Sequence, residues 1–189
     1  MTRVMTKWIA AMAVLAAMAG TSAPMAYAAP PAPAAPAPAE GVAPNGVTIP
    51  PGFRDWKLVT VAREEGKNDD IRAILGNDVA IRAMQLGKYP LPDGTVLARL
   101  AWSYSPLEES AAAFGKAQSH VAGHEKNGVQ FMVKDSVKYA STGGWGYAEF
   151  DSGKPAGNPQ ACFACHTVVK NRDYVFNRFA TVDTGGIGQ

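Results

Sequence analysis

The sequence Cys162-Phe163-Ala164-Cys165-His166 constrains this chain more than any other feature. Two thiols separated by two residues can both bond to one edge of a haem, and the adjacent histidine can then ligate the iron from beneath the ring. A zinc site would need more Cys or His ligands at suitable spacing, and the chain has only these two cysteines. A thioredoxin-like dithiol would need a βαβ frame, which the flanking residues do not offer. The motif therefore predicts one covalent haem c, attached through Cys162 and Cys165 and ligated by His166.

The motif lies close to the C-terminus, and no methionine follows it. A sixth iron ligand must therefore come from upstream or be absent. The candidates are Met84, Met132, His120 and His124. Both methionines lie in apolar patterns that favour core packing, and both histidines lie in or near a glycine-bearing loop that favours solvation. We therefore predict an open sixth position, which suits the binding of small molecules, whereas a closed iron mainly passes electrons.

The N-terminus has the pattern of a secretory signal peptide over residues 1–28. Arg3 and Lys7 precede a short apolar run, and Ala26-Tyr27-Ala28 is a small-residue cleavage pattern. The apolar run has about a dozen residues, whereas a membrane span needs roughly 20. The sequence therefore predicts export to the periplasm, with no membrane span left after cleavage.

Composition divides the remaining chain into three parts. Residues 29–46 are rich in Ala and Pro, which predicts an extended, polyproline-like linker. Residues 47–182 form the expected domain, and residues 183–189 form a Gly-rich, flexible tail. The formal net charge is +2, and two of the basic residues lie in the signal peptide, so the mature chain is nearly neutral. With no basic block, nucleic acid is not expected as a partner.

Apolar periodicity predicts an α+β domain, with an antiparallel β-sheet, a few short helices on one side of it, and the c-type haem attached near the C-terminus. We expect a helix over 78–86, with Asp78 as its N-cap and Gly87 as its stop. Residues 110–121 could be helical or irregular, and 135–139 should form a brief helical turn. Strands are predicted over 56–62, 95–104, 129–133 and 145–150.

Several segments resemble the cytochrome P460 family, which is related to cytochrome c′-beta. They are 72–78 (RAILGND), 92–98 (PDGTVLA), 129–135 (VQFMVKD), 142–147 (TGGWGY), the haem motif and 173–176 (DYVF). The resemblance implies a sheet-rich fold with the haem on one face, often in a homodimer, and a five-coordinate iron with His166 as proximal ligand. It also implies oxidation of hydroxylamine to nitric oxide or nitrous oxide, with the electrons passed to an acceptor protein.

The family hallmark is a covalent bond from a lysine side chain to a haem meso carbon, and the resemblance assigns it to Lys88. Lys88 lies in Gly87-Lys88-Tyr89-Pro90, directly after the predicted helix. By position alone it is an ordinary helix-end lysine that suits the helix dipole. The rival lysines are Lys57, Lys67, Lys134 and Lys138.

Members of the family place a carboxylate over the open iron face, where it could accept protons from hydroxylamine. The corresponding region reads Ser110-Ala111-Ala112-Ala113-Phe114, and the nearest acids are Glu108 and Glu109. Either one of these acids, for which we select Glu109, reaches the pocket, or the pocket lacks a base.

Two other functions fit the same motif. A cytochrome c′-beta-like protein would capture nitric oxide without turnover, would lack the lysine bond, and would cap the open face with phenylalanine, for which Phe114 and Phe131 are candidates. An electron-transfer cytochrome would instead close the iron with Met132 or Met84.

Overall fold

The computed structural model describes residues 41–181. The predicted signal peptide, most of the predicted linker and the predicted tail lie outside the described residues. Within the described part, no helix has both the length and the apolar character needed to cross a membrane.

Six strands form one sheet in chain order, and each is antiparallel to the next. This architecture confirms the predicted α+β fold with an antiparallel sheet. The strands are β1 (Lys57–Glu64), β2 (Asp70–Gly76), β3 (Val96–Pro106), β4 (His120–Lys134), β5 (Trp145–Asp151) and β6 (Lys154–Ala156). The helices are α1 (Asp78–Gln85), α2 (Glu109–Phe114) and α3 (Pro159–His166), with short 3-10 helices at Phe53–Asp55, Ala140–Thr142 and Thr167–Arg172.

Three local predictions need correction. Strand β2 is absent from the predicted elements, because the buried Asp70 and the partly buried Arg72 hide the usual alternation of polar and apolar positions. Strand β4 begins at His120 rather than Val129, since its first half is an exposed hairpin arm with no apolar pattern to reveal it. Helix α1 is capped by Asn77 rather than Asp78: the Asn77 side chain accepts a hydrogen bond from the amide of Ala80 at 2.9 Å.

Alternation along the strands gives the sheet two differently covered faces. Leu97, Met132 and Tyr147 are neighbours across β3, β4 and β5 and share one face, which we call the helix-bearing face. Helices α1 and α3 pack on it, so the prediction that helices lie on one side holds for these two. The core on this face consists of Val59, Ile74, Ala80, Ile81, Met84, Leu91, Leu97, Trp145, Tyr147 and Val175.

The opposite face is covered by the chain segment that precedes β1. Ala43 and Val47 are buried there, next to Phe131 and Phe150. The amide of Gly41 donates a hydrogen bond to the carbonyl of Gly153 at 2.9 Å. Gly41 and Ala43 therefore belong to packed structure, although composition assigns them to the linker.

Candidate haem-binding site

Helix α3 places the motif residues on one side of a helix. Pro159 occupies the first turn, and the side chain of Asn158 caps the helix by accepting from the amide of Gln160 at 2.9 Å. In the helix, Cys162, Cys165 and His166 are three and four residues apart, a spacing that brings side chains together. All three line one cavity of about 630 Å³ on the helix-bearing face. This volume lies within the range of about 300–1,000 Å³ found for small-molecule and cofactor sites.

His166 is held in the form that a metal needs. Its Nδ1 lies 2.6 Å from the carbonyl oxygen of Tyr174, and because a carbonyl only accepts, Nδ1 carries the proton. The Nε2 atom then keeps its lone pair free for a metal. Burial lowers the pKa of His166, against a smaller opposing effect of the Tyr174 hydrogen bond, so the neutral ring is favoured. The rings of Tyr147 and Phe176 flank it, with centroid distances of 5.1 and 4.9 Å.

The two cysteines differ in exposure. Cys162 is half-buried against the core of the helix-bearing face, and Cys165 is exposed; both are free thiols. Burial raises the pKa of the Cys162 thiol, and the charge of Glu149 acts in the same direction. Both thiols open onto the cavity that His166 also lines, which is the arrangement required for two thioethers and one axial ligand.

Two arginines in another part of the cavity wall, Arg72 and Arg99, form a guanidinium pair that is held by one carboxylate. Arg72 makes a two-pronged contact with the fully buried Asp70, at 2.7 and 2.8 Å, and Arg99 reaches the same carboxylate at 2.6 Å. Arg99 also contacts Gln130, whose amide nitrogen donates to Glu149 at 2.6 Å. Burial lowers the pKa of Arg99, and the neighbouring charge of Arg72 adds to the effect. Guanidinium groups suit the carboxylates that a haem carries, because they offer paired donors.

One acid lines this cavity within the described part of the chain, and it is Glu64 at the end of β1. Its carboxylate contacts both Arg72 and Asn68. Sequence reasoning missed it, because nothing in the local pattern of β1 separates Glu64 from an ordinary surface acid.

The structure places Glu109 elsewhere. Glu109 opens α2, in the connection between β3 and β4; it is exposed and is not among the residues that line the cavity. Glu108 is also exposed and lies outside the lining.

Lys88 is exposed, in the connection between α1 and β3, and does not line the cavity. Among its rivals, Lys57, Lys67 and Lys138 are exposed, whereas Lys134 is buried in an ion pair with Asp173. No lysine within residues 41–181 contributes to the cavity wall.

Of the four upstream candidates for a sixth ligand, Met132 lines the cavity. Met84, a residue of α1, is buried in the core, and His120 and His124 lie on the exposed arm of β4.

Of the two candidates for the phenylalanine cap, Phe114 is exposed on α2. Phe131 is buried on the opposite face against Phe53 and Phe150, although it also touches the cavity wall.

A buried polar atom in the cavity wall provides a further test of fit. The hydroxyl of Tyr147 is buried and has no hydrogen-bond partner in the described structure. Burying an unpartnered hydroxyl is unfavourable, so a group bound in the cavity would supply what this atom lacks. Together with the Cys162, Cys165 and His166 arrangement, this makes the residues present suitable for a haem.

Comparison with known proteins agrees with this description. The family model for cytochrome P460 matches residues 50–177, which is more than half of the chain. No curated protein matches the chain. The resemblance inferred from the sequence segments is thereby confirmed, and the chain belongs to the cytochrome P460 family, whose members are haem cytochromes.

Proposed function

We propose that this chain is a periplasmic c-type cytochrome with one haem, which oxidises hydroxylamine to nitric oxide or nitrous oxide and passes the electrons to an acceptor protein. One observation carries the proposal: Cys162, Cys165 and His166 line a single cavity that is also lined by one carboxylate and three arginines. The family membership supports a haem-based oxidoreductase in general. The resemblance also implies a homodimer, which we include in the proposal.

Different residues of the chain would attach the haem, ligate its iron and accept protons from the substrate. Cys162 and Cys165 would form the two thioethers, and the Nε2 atom of His166 would ligate the iron. When bound, haem supplies a redox-active iron with an open position for hydroxylamine. Oxidation of one hydroxylamine to nitric oxide releases three protons and three electrons, so the site needs a proton acceptor as well as an electron route. Glu64 is the carboxylate available at the cavity wall for that role.

A second candidate function is favoured by the placement of the lysines. Because Lys88 is exposed and no described lysine lines the cavity, the geometry suits a haem without the lysine bond. Such a protein would capture nitric oxide without turnover, as the cytochrome c′-beta resemblance implies.

Peptide mapping of the haem-loaded protein distinguishes the two. In the first function, one haem peptide carries both the Cys162–His166 segment and the Lys88 segment, and the ferrous Soret band is shifted to the red. In the second, Lys88 is recovered in an unmodified peptide at full haem occupancy, and hydroxylamine is not consumed. The double variant Cys162→Ala/Cys165→Ala serves as the control for covalent attachment. If it retained a full, stably bound haem, the c-type assignment itself would be wrong.

A further inference from the structure

The hydrogen bond from His166 depends on an unusual backbone segment. The acceptor is the carbonyl of Tyr174, and both Asp173 and Tyr174 adopt left-handed conformations, with φ of 53° and 63°. Such values are unfavourable for most residues other than glycine. They persist where the surrounding structure imposes them.

A buried ion pair imposes the conformation of Asp173. One carboxylate oxygen of Asp173 accepts from the Nζ atom of Lys134 at 2.6 Å, and the other accepts from the amide of Leu91 at 2.9 Å. The side chains of Asp173 and Lys134 are 6% and 7% exposed. Because both oxygens are satisfied inside the protein, the carboxylate has one defined position. The backbone to which it belongs is fixed with it.

Three contacts of its Nζ atom fix the side chain of Lys134. Besides Asp173, its Nζ atom donates to the carbonyl of Gly143 at 3.2 Å and lies 5.0 Å from the ring centre of Trp145. The ring of Tyr174 packs over Gly143, where a Cβ atom would lie 2.3 Å from it. Lys134 is the last residue of β4 and Trp145 the first of β5, so these contacts tie the 173–174 turn to the paired ends of these two strands.

We propose that the Lys134–Asp173 ion pair is a positioning device for the iron ligand: it holds the Tyr174 carbonyl in place and so sets the orientation and electron-donating strength of His166. A histidine that donates its Nδ1 proton to a fixed carbonyl is a stronger donor to a metal than one whose partner is mobile. The inference rests on the proposed function, in which His166 is the axial ligand. It assigns Lys134 a role other than bonding to the haem.

The test compares the haem-loaded wild type with the double variant Lys134→Met/Asp173→Asn. This pair of changes removes both charges, and the asparagine oxygen can still accept from Leu91, so neither residue is left as an unpaired buried charge. In the ferrous protein we expect the iron–histidine stretching frequency to fall and the reduction potential to rise. The single variant Lys134→Arg keeps the positive charge beside Asp173. Its shifts in stretching frequency and reduction potential should therefore be smaller than those of the double variant.

Asp93→Asn is the matched control. Asp93 bonds to Ser136, two residues beyond Lys134, and its carboxylate interacts electrostatically with Lys134 but makes no hydrogen bond to Asp173 or Tyr174. This control therefore removes a negative charge near Lys134 while it leaves the Lys134–Asp173 contact in place. It should lower stability and leave the stretching frequency unchanged. If the haem-loaded double variant has the wild-type frequency and potential, the positioning role is overturned while ligation by His166 stands. If the wild type shows no iron–histidine stretch, ligation by His166 is wrong, and the inference falls with it.

Discussion

The ring of Tyr147 lies 5.1 Å from the ring of His166, yet its hydroxyl is buried without a hydrogen-bond partner in the described structure. Burial raises the pKa of Tyr147 well above its ordinary value, so the hydroxyl keeps its proton and can act as a donor. A donor of this kind beside the proposed iron ligand is suited to a polar group bound in the cavity.

Tyr147→Phe tests that relationship. In haem-free protein the change removes an unsatisfied hydroxyl and keeps the ring, so we expect a gain in the free energy of unfolding of about 1 kcal/mol. In haem-loaded protein the gain should be smaller or absent, because the hydroxyl then has a partner. Chemical denaturation of both forms measures the difference. Tyr139→Phe is the control: its hydroxyl contacts the carbonyl of Asn45, so its removal should not stabilise either form. An equal gain at Tyr147 with and without haem would contradict the expectation.

Lys88→Leu distinguishes hydroxylamine oxidation at a lysine-bonded haem from nitric oxide capture at a haem without that bond. If Lys88 bonds to the haem, the variant keeps the haem on Cys162 and Cys165, loses the red-shifted ferrous Soret band, and loses hydroxylamine turnover while still binding nitric oxide. Absorption spectra and a hydroxylamine consumption assay measure these changes. Lys57→Leu, also at an exposed lysine, should change none of them. An unaltered spectrum and unaltered turnover in the Lys88 variant would refute the lysine bond.

Asp70→Ala removes the carboxylate that holds both Arg72 and Arg99. Asp70 is fully buried and the arginine side chains are each 14% exposed, so the change leaves the largely buried Arg99 without a carboxylate partner and leaves Arg72 with Glu64 alone. Breaking a buried pair from one side costs about 3–5 kcal/mol. We expect a loss of this size in urea unfolding of the haem-loaded protein, together with weaker haem retention when the thioethers are removed.

The exposed ion pair between Arg63 and Glu65 provides the comparison for Asp70. Its side chains are 55% and 77% exposed, and exposed pairs contribute about 0–1 kcal/mol. Glu65→Ala should therefore change stability little. If Asp70→Ala cost no more than Glu65→Ala, the guanidinium pair would not depend on its buried carboxylate.

Asp93 should contribute to the pH dependence of stability. Its carboxylate accepts from the hydroxyl of Ser136 at 2.7 Å and from the amide of the same residue at 2.8 Å, and these bonds lower the pKa of Asp93 below its ordinary value of 3.8. A lowered folded-state pKa gives stability that is present above the ordinary value and is lost as the pH falls through the folded value. Asp93→Asn should therefore flatten the decline in the free energy of unfolding below pH 3.8. Acid titration of urea midpoints checks this, and identical slopes in both proteins would contradict it.

The sequence predicts the haem motif and the antiparallel sheet because both are local patterns. It does not predict β2, since Asp70 and Arg72 look like surface residues until Arg99 from the neighbouring strand is brought beside them. The sequence presents Lys134 only as a rival for the lysine bond, because its partner Asp173 is far away along the chain.

Glu64 lines the cavity and Glu109 does not, and local sequence patterns fail to reveal this difference for the same reason. The order of segments in the family resemblance favours Glu109, whereas contact with the cavity depends on which strand ends the fold places there. Glu64 reaches the cavity wall because β1 pairs with β2, which carries Arg72, and no pattern within β1 records this.

The order of the strands has a consequence for biogenesis. Each strand pairs with its immediate successor in the chain, and all six precede the cysteines, so the sheet closes only short loops as it forms and does not need α3. No residue of α3 is fully buried within the protein. If haem is bonded to these thiols as proposed, the helix that bears them can stay accessible while the sheet acquires its structure, and bonding of the cofactor can be the closing event of maturation rather than its starting point.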